Sequence, residues 1–523
     1  MVKLNLDREV TDRCREYADS IVHPVLVYIN RHSTVSIERA VLRLLGFSGG
    51  YERNGAVFPV PNLIVDKVGR KALKDGIAGV VAQIKKRYPR WNQQKIAEKI
   101  IKGEVDLERL EDIPHEKMRE IIKPWIDSAI RQIDRMRHKK EEKRYKFGNR
   151  HPPLKSVEVG SGHVYEDVDY AEMAVRQGAD IITVNRSTAQ SLLDYVPEGV
   201  TTEGFGGTFA TQENLRLMSE RINRLSYELG RYVSLGHCSL GLCMPELAVI
   251  GAAEGLDYLV NDPLSSILFR DINPKRAVID QHFSRMVIAR AGMILHTGEE
   301  NIFKMTGTHL NHHQVMASQF INECLARRAG VRDDQIGLSH ACEIDPQIED
   351  SIVLEMARAE LTREVFFRNP IKYMPPTRCK QDDAAYADTL DAMFNLTGIM
   401  TGQNIQCLGD NAQVFSSLAT VHDRHHALKN AAYIFDGCRS VLDELIFSSN
   451  GKVMRQARQI LDNSHKLLKR ISEKSFFGAL EEGLIVDRPR SRDGGRGYQG
   501  VFEKSRQYYN PFLELTAPTH ARR

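Results

Sequence analysis

Cysteine is sparse in this chain and nowhere paired at short spacing. Eight are scattered over 523 residues, at positions 14, 238, 243, 324, 342, 379, 407 and 438, with no Cys-x-x-Cys. Such usage argues against a disulfide framework and fits reduced thiols in a cytoplasm. Charge of one sign is also scarce. The 72 Lys and Arg against 68 Asp and Glu leave +4, too little to imply a nucleic-acid partner. No stretch approaches the ~18 uninterrupted apolar residues of a membrane span. The polar opening MVKLNLDREVTDRCREYADS has no apolar signal core, so the expectation is a cytoplasmic protein with no membrane partner. What remains, 42% apolar and 27% charged residues, suits two or three domains or one large barrel with extensions.

Three regions follow from the patterning. Residues 1–150 read as a helical accessory region, with apolar residues at three- and four-residue spacing in SIERAVLRLLGF and QQKIAEKIIKG. The region closes on the basic run RMRHKKEEKRYKFGNRHPP, either a contact for a phosphate or acidic partner or a solvated helix end and linker. Between 151 and 385, short apolar runs alternate with polar turns and helical stretches. Strands are expected at 157–161, 180–185, 200–206, 232–237, 256–262, 291–298, 335–340 and 370–375, the run at 200–206 being the weakest. Eight such units predict an α/β fold closed as a (β/α)8 barrel, although an open doubly wound sheet uses similar units. Residues 386–523 return to amphipathic helices, in HALKNAAYIFDGCRSVLDELIF and MRQARQILDNSHKLLKRISE, and end in a glycine-rich, then aromatic tail that needs another element to pack on.

In such a barrel the reactive groups lie just beyond the C-terminal ends of the strands. There this chain places Arg186-Ser187-Thr188-Ala189-Gln190-Ser191, then His237-Cys238-Ser239, Asn261-Asp262 with Arg270 nearby, His296 through Asn301, Ser339-His340 and Lys372. An arginine and hydroxyls leading into a helix make a phosphate pocket. Capping by Ser187 or Thr188 beside a surface arginine explains the same residues. Gly204-Phe205-Gly206-Gly207 lacks the spacing of a dinucleotide loop and reads as a tight turn between strand and helix. His237, His296 and His340 at three strand ends could hold a metal, as in barrel hydrolases.

Several long stretches resemble the alpha subunit of the lysine 5,6-aminomutase family: TTEGFGGTFATQENLRLM, GLCMPELAVIGAAEGLDYLVND, ILFRDINPKRAVIDQHFS, KYMPPT, TGQNIQCLG and the run before YYNPFLEL. D-ornithine 4,5-aminomutase shares the barrel but fuses it to its cobalamin domain. The resemblance implies an isomerase catalysing a radical 1,2-amino shift on the terminal amine of a diamino acid, D-lysine or L-β-lysine by default, with pyridoxal 5′-phosphate and adenosylcobalamin as cofactors. It also implies an obligate smaller cobalamin-binding beta subunit, in an α2β2 assembly, that supplies both the cobalt-ligating histidine and the lysine holding pyridoxal phosphate at rest. Asp423-Arg424-His425-His426-Ala427-Leu428 lacks the glycine of the cobalamin motif and is read as unrelated to it.

Carried over by resemblance, Arg186 and Ser191 match contacts to the cofactor phosphate. Thr188 and Gln190 lie in the same motif, and Arg270 matches an arginine near the cofactor. Lys372 matches the lysine that pairs with the substrate carboxylate, and Glu300 and Asn301 stand where the family binds the substrate, Glu300 at a substrate amino group. Three positions depart from the family. Ser265 stands where a tyrosine stacks on the pyridoxal ring, Glu300 replaces an aspartate, and Leu240 occupies the place of a serine that Ser239 could supply. These departures keep open a related aminomutase for another diamino acid, such as ornithine, and a catalytically inactive paralogue that binds pyridoxal phosphate.

Overall fold

The computed structural model describes residues 3–148, 150–306, 311–345, 347–375, 384–409 and 421–515. Cys379 and the end of the KYMPPT stretch lie outside them. Eight parallel strands close a barrel: β1 Leu154–Val159, β2 Ile181–Asn185, β3 Ser234–Cys238, β4 Tyr258–Val260, β5 Ile294–His296, β6 Ile336–Ala341, β7 Ile371–Met374 and β8 Ile405–Leu408. The sheet closes where β8 pairs with β1, Ile405 opposite Leu154 and Leu408 opposite Val157. Helices on the outside cover the sheet, so β6, β7 and β8 are buried along their whole length, as parallel strands require.

One strand expectation is corrected. Residues 200–206 form an irregular loop, and the barrel closes instead with Ile405–Leu408, beyond residue 385. The physical reason is burial. A parallel barrel strand is covered on both faces, as Ile405–Leu408 is along its whole length, whereas the Gly- and Thr-rich run at 200–206 is almost wholly exposed. That loop instead folds back on the end of β2, where the Thr188 amide and the Ser187 hydroxyl both donate to the Phe205 carbonyl, each at 3.0 Å. Gly207, at φ 134°, lies so close that a Cβ there would sit 2.6 Å from the Asn185 carbonyl oxygen.

The pleat decides what the barrel holds. Ser156, Thr183 and Tyr258 point inward and share hydroxyl contacts, with Tyr258 Oη 3.5 Å from Ser156 Oγ and in a short bond to Thr183. Gly236 makes room for the Tyr258 ring, which a Cβ would meet at 2.1 Å. His296 lies edge-on to that ring, centroids 4.8 Å apart. Tyr258 and His296 thus plug the barrel and form the floor of its C-terminal mouth.

The terminal regions lean on one another and on the barrel. Helix Arg8–Arg31 packs against helix Lys452–Lys474, whose buried Ala457, Ile460, Leu461, Ser464, Leu467, Leu468 and Ile471 keep helical spacing. His32–Thr34 pairs antiparallel with Val501–Glu503, the packing partner that the glycine-rich tail needs. The basic run is neither a free phosphate contact nor a wholly solvated helix end. It continues helix His115–Phe147, where buried Lys140 donates to the Leu256 carbonyl at 2.6 Å and Arg144 pairs with Asp257 at 2.9 Å.

Candidate active site at the C-terminal mouth of the barrel

One side of the mouth is built from cations that have no counter-ion among the described residues. Arg186, directly after β2, is 5% exposed and donates to two main-chain carbonyls, Leu242 at 2.9 Å and Gln190 at 2.8 Å. No carboxylate pairs with it, and its Nε has no partner among the described residues. Burial, with Arg270 nearby, pushes its pKa down to about 10. Arg270 ends helix Pro263–Arg270; its Nε is likewise unpartnered and its pKa is lowered by burial. The buried Ser239 hydroxyl, just after β3, also has no partner. Helix Met244–Glu254 starts here on Cys243, with no side-chain cap on its amides. Two uncompensated guanidiniums, a free hydroxyl and open amides form a receptacle for a dianion such as a phosphate monoester.

The neighbouring carried-over residues shape this corner in different ways. The Gln190 amide is spent on both ends of Ala210, donating to its carbonyl at 3.0 Å and accepting from its amide at 2.6 Å. The Ser191 hydroxyl donates to the Thr188 carbonyl at 2.6 Å, and Ser191 accepts the Leu242 amide on its own carbonyl at 2.8 Å. Thr188 is half-buried, its Oγ1 facing Gly206. Leu240 is buried at 7% exposure.

Across the mouth is a buried ion pair. Lys372, on β7, reaches Glu300 Oε1 at 3.2 Å, both side chains 6% exposed. Glu300 Oε2 accepts the Ser339 hydroxyl at 2.5 Å. Burial would raise the Glu300 carboxyl, but Lys372 and Ser339 outweigh it and hold the pKa below its ordinary value. Lys372 is the mirror case. Burial opposes its charge, yet Glu300, with Cys407, Cys238 and Glu158 also in reach, holds it well above the ordinary lysine value.

Glu158 is a site residue that the sequence reading missed. It points inward two positions after Ser156, and Asn185 donates to its carboxylate at 2.7 Å. Strand alternation from Ser156 was the available signal. Half-buried Cys238 lies among Glu158, Lys372, Glu300 and Arg270, and burial pushes its thiol up to about 12.

Between the two sides, Asp262 organises the turns after β4 and β5. It accepts the Ser265 amide at 3.1 Å, the Ser265 hydroxyl at 2.9 Å and the Gly298 amide at 2.9 Å. Ser265 Oγ also lies 2.5 Å from the Gly298 carbonyl and is fully buried. Its hydrogen-bonding capacity is therefore spent inside the wall. Asn301 caps the same turn, its amide 3.2 Å from the Gly298 carbonyl.

The three strand-end histidines do not converge. His296 points into the barrel against Tyr258, whereas His340 stacks on outward-facing Tyr373 with centroids 4.5 Å apart and meets Gln403 Oε1 at 3.1 Å. His237 lies toward Arg186, and burial first and that charge second push its pKa down to about 3. Among the described residues no group of three or more His, Cys, Asp or Glu could hold a metal ion. The barrel-hydrolase reading therefore has no geometric support. Nor, among those residues, is any helix long and apolar enough to cross a membrane.

Comparison with known proteins identifies relatives over almost the full length. The family described as the D-lysine 5,6-aminomutase TIM-barrel domain of alpha subunit matches residues 4–515. The lysine 5,6-aminomutase alpha subunit of Acetoanaerobium sticklandii is 40% identical over 517 residues, 98% of each chain. Its counterpart in Fusobacterium nucleatum is 40% identical over 519 residues, 98% of this chain and 99% of that one. D-ornithine 4,5-aminomutase subunit beta of A. sticklandii is 25% identical over 389 residues, covering 70% of this chain and 51% of its own length.

Proposed function

The chain belongs to the D-lysine 5,6-aminomutase alpha-subunit family, and on that premise we propose that its barrel mouth binds pyridoxal phosphate and a diamino acid, D-lysine or L-β-lysine, for migration of the terminal amino group. The observation that carries this reading is the pairing of two arginines without a carboxylate partner among the described residues, buried Arg186 and half-buried Arg270, with a buried Lys372–Glu300 ion pair in one mouth. A smaller cobalamin-binding beta subunit completes the enzyme in an α2β2 assembly, and the compartment is the cytoplasm.

Pyridoxal phosphate, when bound, supplies the carbonyl that carries the migrating nitrogen, and adenosylcobalamin on the partner supplies the radical that starts the shift. This chain's residues bind and orient. Arg186, Arg270, Ser239 and the amides at the start of helix Met244–Glu254 hold the phosphate, since each brings an unused donor or an unbalanced positive charge. Thr188, Gln190 and Ser191 set the loop that presents Arg186. Lys372 takes the substrate carboxylate, and Glu300 takes the ammonium nearest to it, on the α carbon of D-lysine or the β carbon of L-β-lysine. The Lys372–Glu300 pair thereby opens to a zwitterion, with no net charge entering a poorly hydrated site. Glu158 adds a second carboxylate within reach of Lys372. Asn301 and Ser265 fix the turn that carries Glu300.

A specific observation keeps the ornithine reading alongside. Glu300 reaches one methylene further than an aspartate, and the Ser265 hydroxyl is tied to Asp262 rather than offered to a ring. Mass spectrometry of the chain, co-expressed with its partner and loaded with both cofactors, tests these readings against D-lysine, L-β-lysine and D-ornithine. An isomer with the amine moved one carbon inward supports the mutase, and the preferred substrate selects between readings. Retained pyridoxal phosphate binding with no product from any of them would leave an inactive paralogue.

A further inference from the structure

The glycine-rich stretch near the C-terminus reaches back to both walls of the anion site. Arg186 and Arg270 carry like charge with no counter-ion among the described residues, and they repel each other. Pairing therefore does not fix where either stands; only the backbone that binds or carries them does. For Arg186 that backbone includes the Leu242 carbonyl, at 2.9 Å, in the turn after β3. For Arg270 it is the end of helix Pro263–Arg270 and the turn that follows, where Asp271 sits at φ 56°.

Residues 490–497 hold the second of these supports by side chain and by backbone. Arg490 donates from Nε to the Ile267 carbonyl at 3.2 Å and from Nη2 to the Leu268 carbonyl at 2.9 Å, two carbonyls in the last turn of the Arg270 helix. The Arg496 amide donates to the Asp271 carbonyl at 2.8 Å, and the Arg496 carbonyl accepts the Asn273 amide at 2.9 Å. Asn273 Nδ2 donates to the Arg492 and Gly494 carbonyls at 3.0 and 2.5 Å. Gly495, at φ 82°, lies against the same turn, where a Cβ would stand 3.0 Å from the Asn273 nitrogen and from the Asp271 oxygen.

Two residues on, Gly497 lies at the other support. It takes φ 81°, and a Cβ there would meet Leu242 Cδ2 at 2.6 Å. Its carbonyl accepts Arg276 Nη1 at 3.1 Å, and Arg276 Nη2 pairs at 2.6 Å with Asp194, on the loop that runs on from Ser191. One short piece of chain thus bears both on the residue that binds Arg186 and on the turn that follows Arg270. We propose that residues 490–497 are a positioning strap of the cofactor site, fixing the spacing of Arg186 and Arg270 so that one phosphate group meets both. This deepens the pyridoxal phosphate reading and rests on it. Glycine is needed at 495 and 497 because the strap passes too close to both supports for a side chain, in a left-handed backbone.

The test uses the full chain with its partner subunit and compares binding of pyridoxal phosphate with binding of pyridoxal, which lacks the phosphate. The native protein should prefer the phosphorylated form. In Gly497→Ala, a Cβ in a left-handed backbone presses on Leu242 and disturbs the support of Arg186. In Arg490→Met, the end of the Arg270 helix loses two donors. Each variant should bind pyridoxal phosphate roughly tenfold more weakly, the loss of a hydrogen bond to a charged group, while its affinity for pyridoxal stays at the native value. A strap with a merely structural role would weaken both forms alike and leave their ratio native. That result, or no change in either affinity, would overturn the proposal. The Arg490 side chain is 25% exposed, so Arg490→Met carries the test should Gly497→Ala not fold. A native protein that bound both forms equally would overturn the cofactor reading and the strap's role with it, whereas a native preference kept in both variants would overturn the strap alone.

Discussion

Lys372 Nζ lies 3.2 Å from Glu300 Oε1 across the barrel mouth, and each holds the other charged in a setting that would otherwise neutralise it. Breaking a buried pair leaves a bare charge, which costs more than the pair itself contributes. Lys372→Met should therefore lower unfolding stability by about 3–5 kcal/mol. The double variant Lys372→Met/Glu300→Gln should recover much of that loss, because no unpaired charge remains. Urea unfolding of the two variants measures it; equal losses would contradict the pairing.

Arg270 makes no side-chain hydrogen bond or ion pair among the described residues. Replacing it should leave the fold intact and weaken only the anion site. Arg270→Gln is expected to bind pyridoxal phosphate about 10–100-fold more weakly, on the order of 1.4–3 kcal/mol, with its melting temperature unchanged when phosphate is absent. Absorbance titration of the cofactor and a thermal scan give the two numbers.

Gly236 is required by space rather than by backbone angle. A Cβ there would lie 2.1 Å from the Tyr258 ring that plugs the barrel. Gly236→Ala should cost about 1–3 kcal/mol by overpacking. Combining it with Tyr258→Leu should give less than the sum of the two single losses, since the clash is with the ring itself. A chemical-denaturation double-mutant cycle is the measurement.

Acid should unfold this barrel through its buried histidines. His237 and His296 are pushed down to about 3, by burial first and by Arg186 and Lys372 respectively second. Their folded pKa lies below the unfolded value, so the unfolded chain binds more protons between about pH 6.5 and 3. Stability is thus complete above about pH 6.5 and falls as pH drops through that window, by up to about 1.4 kcal/mol per pH unit for each histidine. His296→Gln should flatten part of this slope. Thermal scans from neutral to acid pH would show no change in slope if His296 were protonated in the fold.

Much of the barrel was legible because parallel strands carry a local signature. Runs such as Ile181-Ile182-Thr183-Val184 and Ile336-Gly337-Leu338 are apolar on both faces and end in polar turns, which places the mouth before any coordinate is known. The closing strand was not legible in the same way. Ile405–Leu408 is four residues long and lies between helical stretches, and only its pairing with Lys372–Tyr373 on one side and Leu154–Val157 on the other makes it a strand. Within the site, Arg186 and Glu300 could be found from their positions after strands, and Lys372 from the resemblance, since it lies within β7. Glu158 was hidden inside a strand, where a carboxylate counts only if its side faces the mouth.

The sequence by itself determined which groups this protein can bring to its mouth and that the ends of eight strands would gather them there, because side-chain chemistry and two-residue alternation are written locally. The tertiary structure alone decided how those groups spend their hydrogen bonds. Ser265 and Gln190 are donors in the sequence, but Asp262 and Gly298 claim the first and Ala210 the second. Arg186 and Arg270 are ordinary arginines in the sequence, and only the fold shows that no carboxylate pairs with either among the described residues. Glu299 and Glu300 are adjacent and identical in type. Lys372 pairs with Glu300, whereas burial and Asp262 push the Glu299 carboxyl up, so the same side chain meets opposite surroundings in adjacent positions.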